Sequence, residues 1–140
     1  MNETYNTFHG ISTPDELKHT WVNLTNRDYD ELNILWNPYK FNDYKTLNIV
    51  NILYDPDKPD SIGHWCVVVK LNNENVIFFN PINKPFFNDY LLALTSMYNV
   101  LFDLTGQQKI GNKSCGFYCL HKLREYINLT PIRKYEILYK

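Results

Sequence analysis

The chain has 140 residues, 44% of them hydrophobic and 21% charged, which is the size and composition of one globular domain. Fourteen Lys plus Arg against fifteen Asp plus Glu leave a formal charge of -1, which argues against holding nucleic acid by bulk electrostatics. No apolar run is longer than Trp65 to Val69, which falls far short of a membrane-spanning helix. The start shows no charged n-region followed by an apolar run and the cysteine count is three, so we expect reduced thiols rather than a secreted disulfide framework.

In chain order, Thr13-Pro14-Asp15-Glu16 supplies a capping Thr, a Pro at the first helical position and a Glu at the third. Leu17, Trp21 and Leu24 follow at helical spacing, so a helix is predicted from about 14 to 25. From there to about 46 the chain has no clean periodicity and reads as loop and short elements. Leu47 to Leu53 is β-rich, and the turn cluster 55–60 separates it from the next run. Trp65 to Leu71 and Val76 to Phe79 are β-branched or aromatic, joined by Asn72-Asn73-Glu74-Asn75, and predict a hairpin over about 64 to 80. Asn88 or Asp89 is placed to cap a helix carrying Leu91, Leu94, Tyr98 and Leu101 on one face. Ser114 is placed to cap another carrying Cys115, Cys119, Leu123 and Ile127. The expected class is α+β: a short antiparallel sheet packed by helices.

Three residues carry candidate chemistry. A hairpin brings its ends together, so His64 and Asn80 are expected on neighbouring strands at one end of the sheet. Cys115, at a predicted helix start, meets unpaired N–H groups and the positive end of the helix dipole, which favour the thiolate. In a Cys-His-Asn site the imidazole takes the thiol proton and later returns one to the leaving amine, while a side-chain oxygen orients the imidazole. The Cys115 N–H, and an amide from Gln107 or Gln108, would serve the oxyanion.

Each residue also has a plainer reading. Asn80 before Pro81 is a turn former, and Trp65 suits a core. Cys119 continues the apolar face of its helix, and Cys66 points to the opposite strand face from its neighbours, so both read as packing residues. Zinc on Cys115, Cys119 and His121 fails on geometry: at about 100° per residue, His121 is turned about 200° from Cys119. The basic cluster Lys109, Lys113, Lys122, Arg124, Arg133 and Lys134 reads as a solvated face.

Gly63-His64-Trp65, Phe78-Phe79-Asn80-Pro81, Gln107-Gln108 and Ser114-Cys115-Gly116-Phe117-Tyr118-Cys119 together resemble, in order and spacing, the adenovirus-type maturation proteases. These belong to a wider group with the SUMO-specific, Ulp1-like proteases. Asp15-Glu16-Leu17 and Ile49-Val50-Asn51 extend the resemblance to relatives in virophages and Maverick-type elements, over roughly residues 13 to 127. The resemblance implies a papain-like or Ulp1-like cysteine protease fold. It also implies His64 as base, Cys115 as nucleophile, Gln108 as oxyanion donor with Gln107 as substitute, and Trp65 flanking the site. The family usually has Asp or Glu where this chain has Asn80. The implied activity is a thiol endopeptidase cutting viral capsid or scaffold precursors during particle maturation, in the virion and the host cytoplasm or viral factory. The alternatives are an isopeptidase that removes a ubiquitin-like modifier and a non-catalytic virion protein of the same fold. No cofactor is expected, and the activating peptide and DNA of the adenovirus enzyme are not carried over.

Overall fold

The computed structural model describes residues 13–36, 38–53, 63–82, 89–106 and 115–128. Helix α1, Pro14–Thr25, begins as its sequence predicts: Thr13 Oγ1 accepts the Glu16 N–H at 3.2 Å, and Pro14 takes a position where no amide proton is needed. It ends at Asn26, whose N–H still donates to the Val22 carbonyl at 2.8 Å while its left-handed φ of 56° turns the chain out of the helix. The buried face of α1 carries Leu17 and Trp21.

Five strands follow in the order in which they pair: β1 (Leu32–Leu35), β2 (Leu47–Leu53), β3 (Gly63–Lys70), β4 (Asn75–Phe79) and β5 (Asn99–Asp103). The sheet is mixed, which corrects the antiparallel expectation. β2, β3 and β4 are antiparallel neighbours, whereas β1 runs parallel to β2 and β5 parallel to β4. The predicted hairpin is present, its turn organised by Asn72 Oδ1, which accepts the N–H groups of Glu74 and Asn75 at 2.8 Å each.

Helix α2, Asp89–Met97, lies between β4 and β5, and helix α3 is Cys115–Asn128. α2 stops before Leu101, which belongs to β5 and not to the helical face on which its spacing put it. β1 likewise occupies part of the stretch read as loop and short elements. The fold among the described residues is thus α+β, a five-stranded mixed sheet with three helices.

Both faces of the sheet are covered. Leu17 and Trp21 of α1 and Cys119, Leu120 and Leu123 of α3 pack against Ile49, Trp65, Val67, Ile77 and Phe79. Tyr90, Leu91 and Leu94 of α2 pack on Val50, Cys66, Val68 and Phe78. This is why β3 and β4 read as continuous apolar runs: side chains alternate between two buried faces rather than between core and water.

Candidate active site

The geometry begins where the β3–β4 ladder stops. Its last pair is Val67 with Phe79. Continuing that register would set Trp65 opposite Pro81, which has no N–H to give. The Trp65 main chain finds two sulfurs instead. Its N–H donates to Cys115 Sγ at 3.5 Å, and its carbonyl accepts the Cys119 thiol at 3.2 Å. Both cysteines stand on the first turns of α3, so the head of this helix fills the place that a longer β4 would have taken.

One residue earlier on β3, His64 is buried, with Nε2 2.6 Å from Asn80 Oδ1. The same Oδ1 accepts the Ile82 N–H at 3.0 Å, which identifies that atom as the amide oxygen and fixes the side chain across Pro81. Nε2 must therefore carry the proton in the neutral ring, leaving Nδ1 as the basic nitrogen. Asn80 Nδ2 is buried without a hydrogen-bond partner among the described residues. A carboxylate here would bury a charged oxygen in that same position, a costlier arrangement than a neutral amide.

Burial shifts the titration of both His64 and Cys115. It lowers the His64 imidazole to about 4, with the Asn80 hydrogen bond opposing the shift. It raises the Cys115 thiol above its ordinary value, although the N–H groups of Trp65, Gly116 and Cys115 itself favour the thiolate. The expectation of a thiolate held by the helix start is thus corrected: at this buried position loss of solvent outweighs the helix N–H groups, and thiol and imidazole both rest neutral.

His64 and Asn80 meet at one end of the sheet, as the hairpin argument required, and Cys115 joins them there with its thiol against the peptide bond that links His64 to Trp65. Trp65 is core and site at once: its ring is buried, with the exposed Trp36 ring 5.1 Å away, while its backbone holds the thiol. Cys66 and Cys119 are fully buried free thiols, matching their reading as packing residues. Gln107, Gln108 and the Ser114 cap lie outside the described residues, as do Asn88, Lys109, Lys113, Arg133 and Lys134.

Lys122 departs from the solvated-face reading. Its ammonium donates to Thr105 Oγ1 at 2.7 Å and stands 3.7 Å from Asp103 Oδ2 and 4.9 Å from the centre of the Phe79 ring. Asp103, buried at the end of β5, also accepts a short hydrogen bond from the Tyr126 hydroxyl. In the sequence, Asp103 directly after the apolar run Val100-Leu101-Phe102 was the available signal for this cluster. A scan against protein-family models gives no match, and neither does a search of curated proteins.

Proposed function

We propose that the chain is a thiol endopeptidase of the papain-like or Ulp1-like type, with Cys115 as nucleophile, His64 as general base and acid, and Asn80 orienting the imidazole. The observation that carries the reading is the His64 Nε2 to Asn80 Oδ1 contact of 2.6 Å beside a thiol set on the Trp65 N–H at the head of α3. The neutral resting pair fits a mechanism in which the proton moves as the bond forms. Cys115 Sγ attacks the scissile carbonyl carbon while His64 Nδ1 takes the thiol proton. The tetrahedral oxyanion is met by the Cys115 N–H and, as the resemblance implies, by Gln108. The C–N bond then breaks as the imidazolium gives its proton to the departing amine. Water, deprotonated by the same imidazole, hydrolyses the thioester.

The substrates we propose are capsid or scaffold precursors of a virus or virus-like element. This choice is supported by the ordered motif set from Gly63-His64-Trp65 to Cys115-Gly116. The test is co-expression of the chain, or its Cys115→Ala variant, with such precursors, and mass spectrometry of the products. Cleavage that needs Cys115 upholds the reading. Release of a ubiquitin-like modifier with no precursor cut would assign the site to deconjugation, and no thiol-dependent product from either class would overturn it.

A further inference from the structure

The site is assembled from two separate parts, the hairpin that carries His64 and Asn80 and the helix that carries Cys115. Sulfur contacts with Trp65 join them at the head of α3. A second tie lies further along the helix. Lys122 and Tyr126 are seven and eleven residues after Cys115, which at about 100° per residue returns each to within about 20° of it around the axis. Both reach Asp103, the last residue of β5, which the parallel register sets beside Phe79, immediately before Asn80.

Asp103 also turns the chain that leaves β5. Its Oδ1 accepts the Thr105 N–H at 2.9 Å and the Thr105 hydroxyl at 2.6 Å, and that hydroxyl oxygen receives the Lys122 ammonium. The turn lays Gly106 on the backbone of the site. A Cβ at residue 106 would stand 2.4 Å from the Asn80 carbonyl oxygen and 2.5 Å from that of Pro81, so no side chain fits without displacing that backbone. Lys122 is paired with Glu125 at 2.8 Å, and its ammonium stands over the Phe79 ring, which brings the cluster onto the strand that ends in Asn80.

We propose that Asp103, with Tyr126, Lys122 and Gly106, forms a positioning knot that sets the rotation and slide of α3 relative to Asn80, and so fixes where the Cys115 thiol stands against His64. The inference rests on the thiol endopeptidase reading for its kinetic consequences, but its structural content does not. Nothing in the knot touches the reacting atoms. Its members act through the helix and through the Asn80–Pro81 backbone.

The experiment compares wild type with Tyr126→Phe, Gly106→Ala and Asp103→Asn, and uses Leu94→Ala, in the core on the other face of the sheet, as a control for lost stability. Each protein is assayed for kcat and KM on one cleaved peptide, for melting temperature, and for the pH midpoint of Cys115 alkylation by iodoacetamide. Tyr126→Phe is expected to lower kcat about 10-fold and Gly106→Ala about 10²-fold, with KM held within about twofold, as for groups that place a nucleophile rather than bind substrate. Both are expected to move the alkylation midpoint by about half a pH unit, because a displaced helix changes the thiol's burial and its N–H partner. Leu94→Ala is expected to lose melting temperature with the midpoint unmoved.

Knot variants that keep the wild-type kcat and midpoint would overturn the proposal. So would losses that only follow melting temperature, as they do in Leu94→Ala. If Asp103→Asn fails to fold, Tyr126→Phe and Gly106→Ala decide. If wild type cleaves nothing, the endopeptidase reading fails, and the alkylation midpoints still decide whether the knot places the thiol.

Discussion

Nε2 of His64 and Oδ1 of Asn80 stand 2.6 Å apart at a point where the ladder between their strands has already ended. The contact therefore belongs to the side chains, not to strand pairing, and it depends on Asn80 being held by the Ile82 N–H. Removing the amide in Asn80→Ala frees the imidazole and is expected to slow turnover by about 10²-fold, the scale of a mispositioned catalytic group. Asn80→Asp keeps the acceptor and adds charge, so the His64 pKa rises from about 4 toward the ordinary histidine range and the acid limb of the rate profile moves up with it. Imidazole NMR titrations with pH–rate profiles of the three forms check this. An Asn80→Ala protein indistinguishable from wild type would reduce Asn80 to a turn residue.

Alkylation distinguishes the three thiols. Cys115 retains 8% exposure while Cys66 and Cys119 have none, so iodoacetamide is expected to modify Cys115 first. Burial raises its pKa, so the rate is expected to keep climbing on the alkaline side of neutrality rather than level off below pH 7. Peptide mapping of partly labelled protein reads both. A plateau on the acid side would mean a preformed thiolate–imidazolium pair. Cys115→Ala is expected to lose all cleavage and stay folded.

His64 also makes stability depend on pH. In the unfolded chain it takes up a proton near its ordinary value of 6.5, whereas in the fold it does so only at about 4. Between those values the unfolded state binds more protons, so stability is complete above pH 6.5 and falls on acidification. The two pKa values make the loss about 2–3 kcal/mol by pH 4.5. His64→Gln is expected to lack this component. Denaturant unfolding of both proteins at pH 7.5 and 4.5 measures it, and equal losses in the two would mean that His64 is not held neutral.

On the proposed reading, the resemblance to the adenovirus-type proteases implies Gln108 as the oxyanion donor. Gln108→Ala is expected to lower kcat by about 10²- to 10³-fold with little change in KM, and Gln107→Ala to do little. Steady-state kinetics of both variants separate the two positions. The reverse order would assign the role to Gln107, and two silent variants would require other donors.

What the sequence disclosed follows the range of the interactions involved. α1 and the β3–β4 hairpin rest on contacts a few residues apart, the Thr13 cap and the Asn72 turn, and both were legible. β1 and β5 are parallel edge strands whose partners are remote in sequence, so no turn residue marks the pairing. β5 follows α2 with no Gly or Pro between them, and Tyr98 and Leu101 continue the helical period by coincidence. The places of His64, Asn80 and Cys115 in the fold were legible because a hairpin end and a helix start are local features. The neutral state of thiol and imidazole was not, since it comes from burial, which depends on packing from both faces of the sheet.

Trp65 and Cys115 are 50 residues apart, and their contact replaces a rung of the sheet. The hairpin turn closes over a few residues, whereas the Trp65–Cys115 contact is made only when α3 docks. Until then Cys115 is a solvated thiol with an ordinary pKa. Docking of α3 buries it, so folding makes this cysteine less open to oxidants and alkylating agents even as it brings the thiol to the end of the sheet that carries His64 and Asn80. Newly made or heat-opened chains are thus the form most exposed to thiol modification, and reductant during refolding protects Cys115 at that stage.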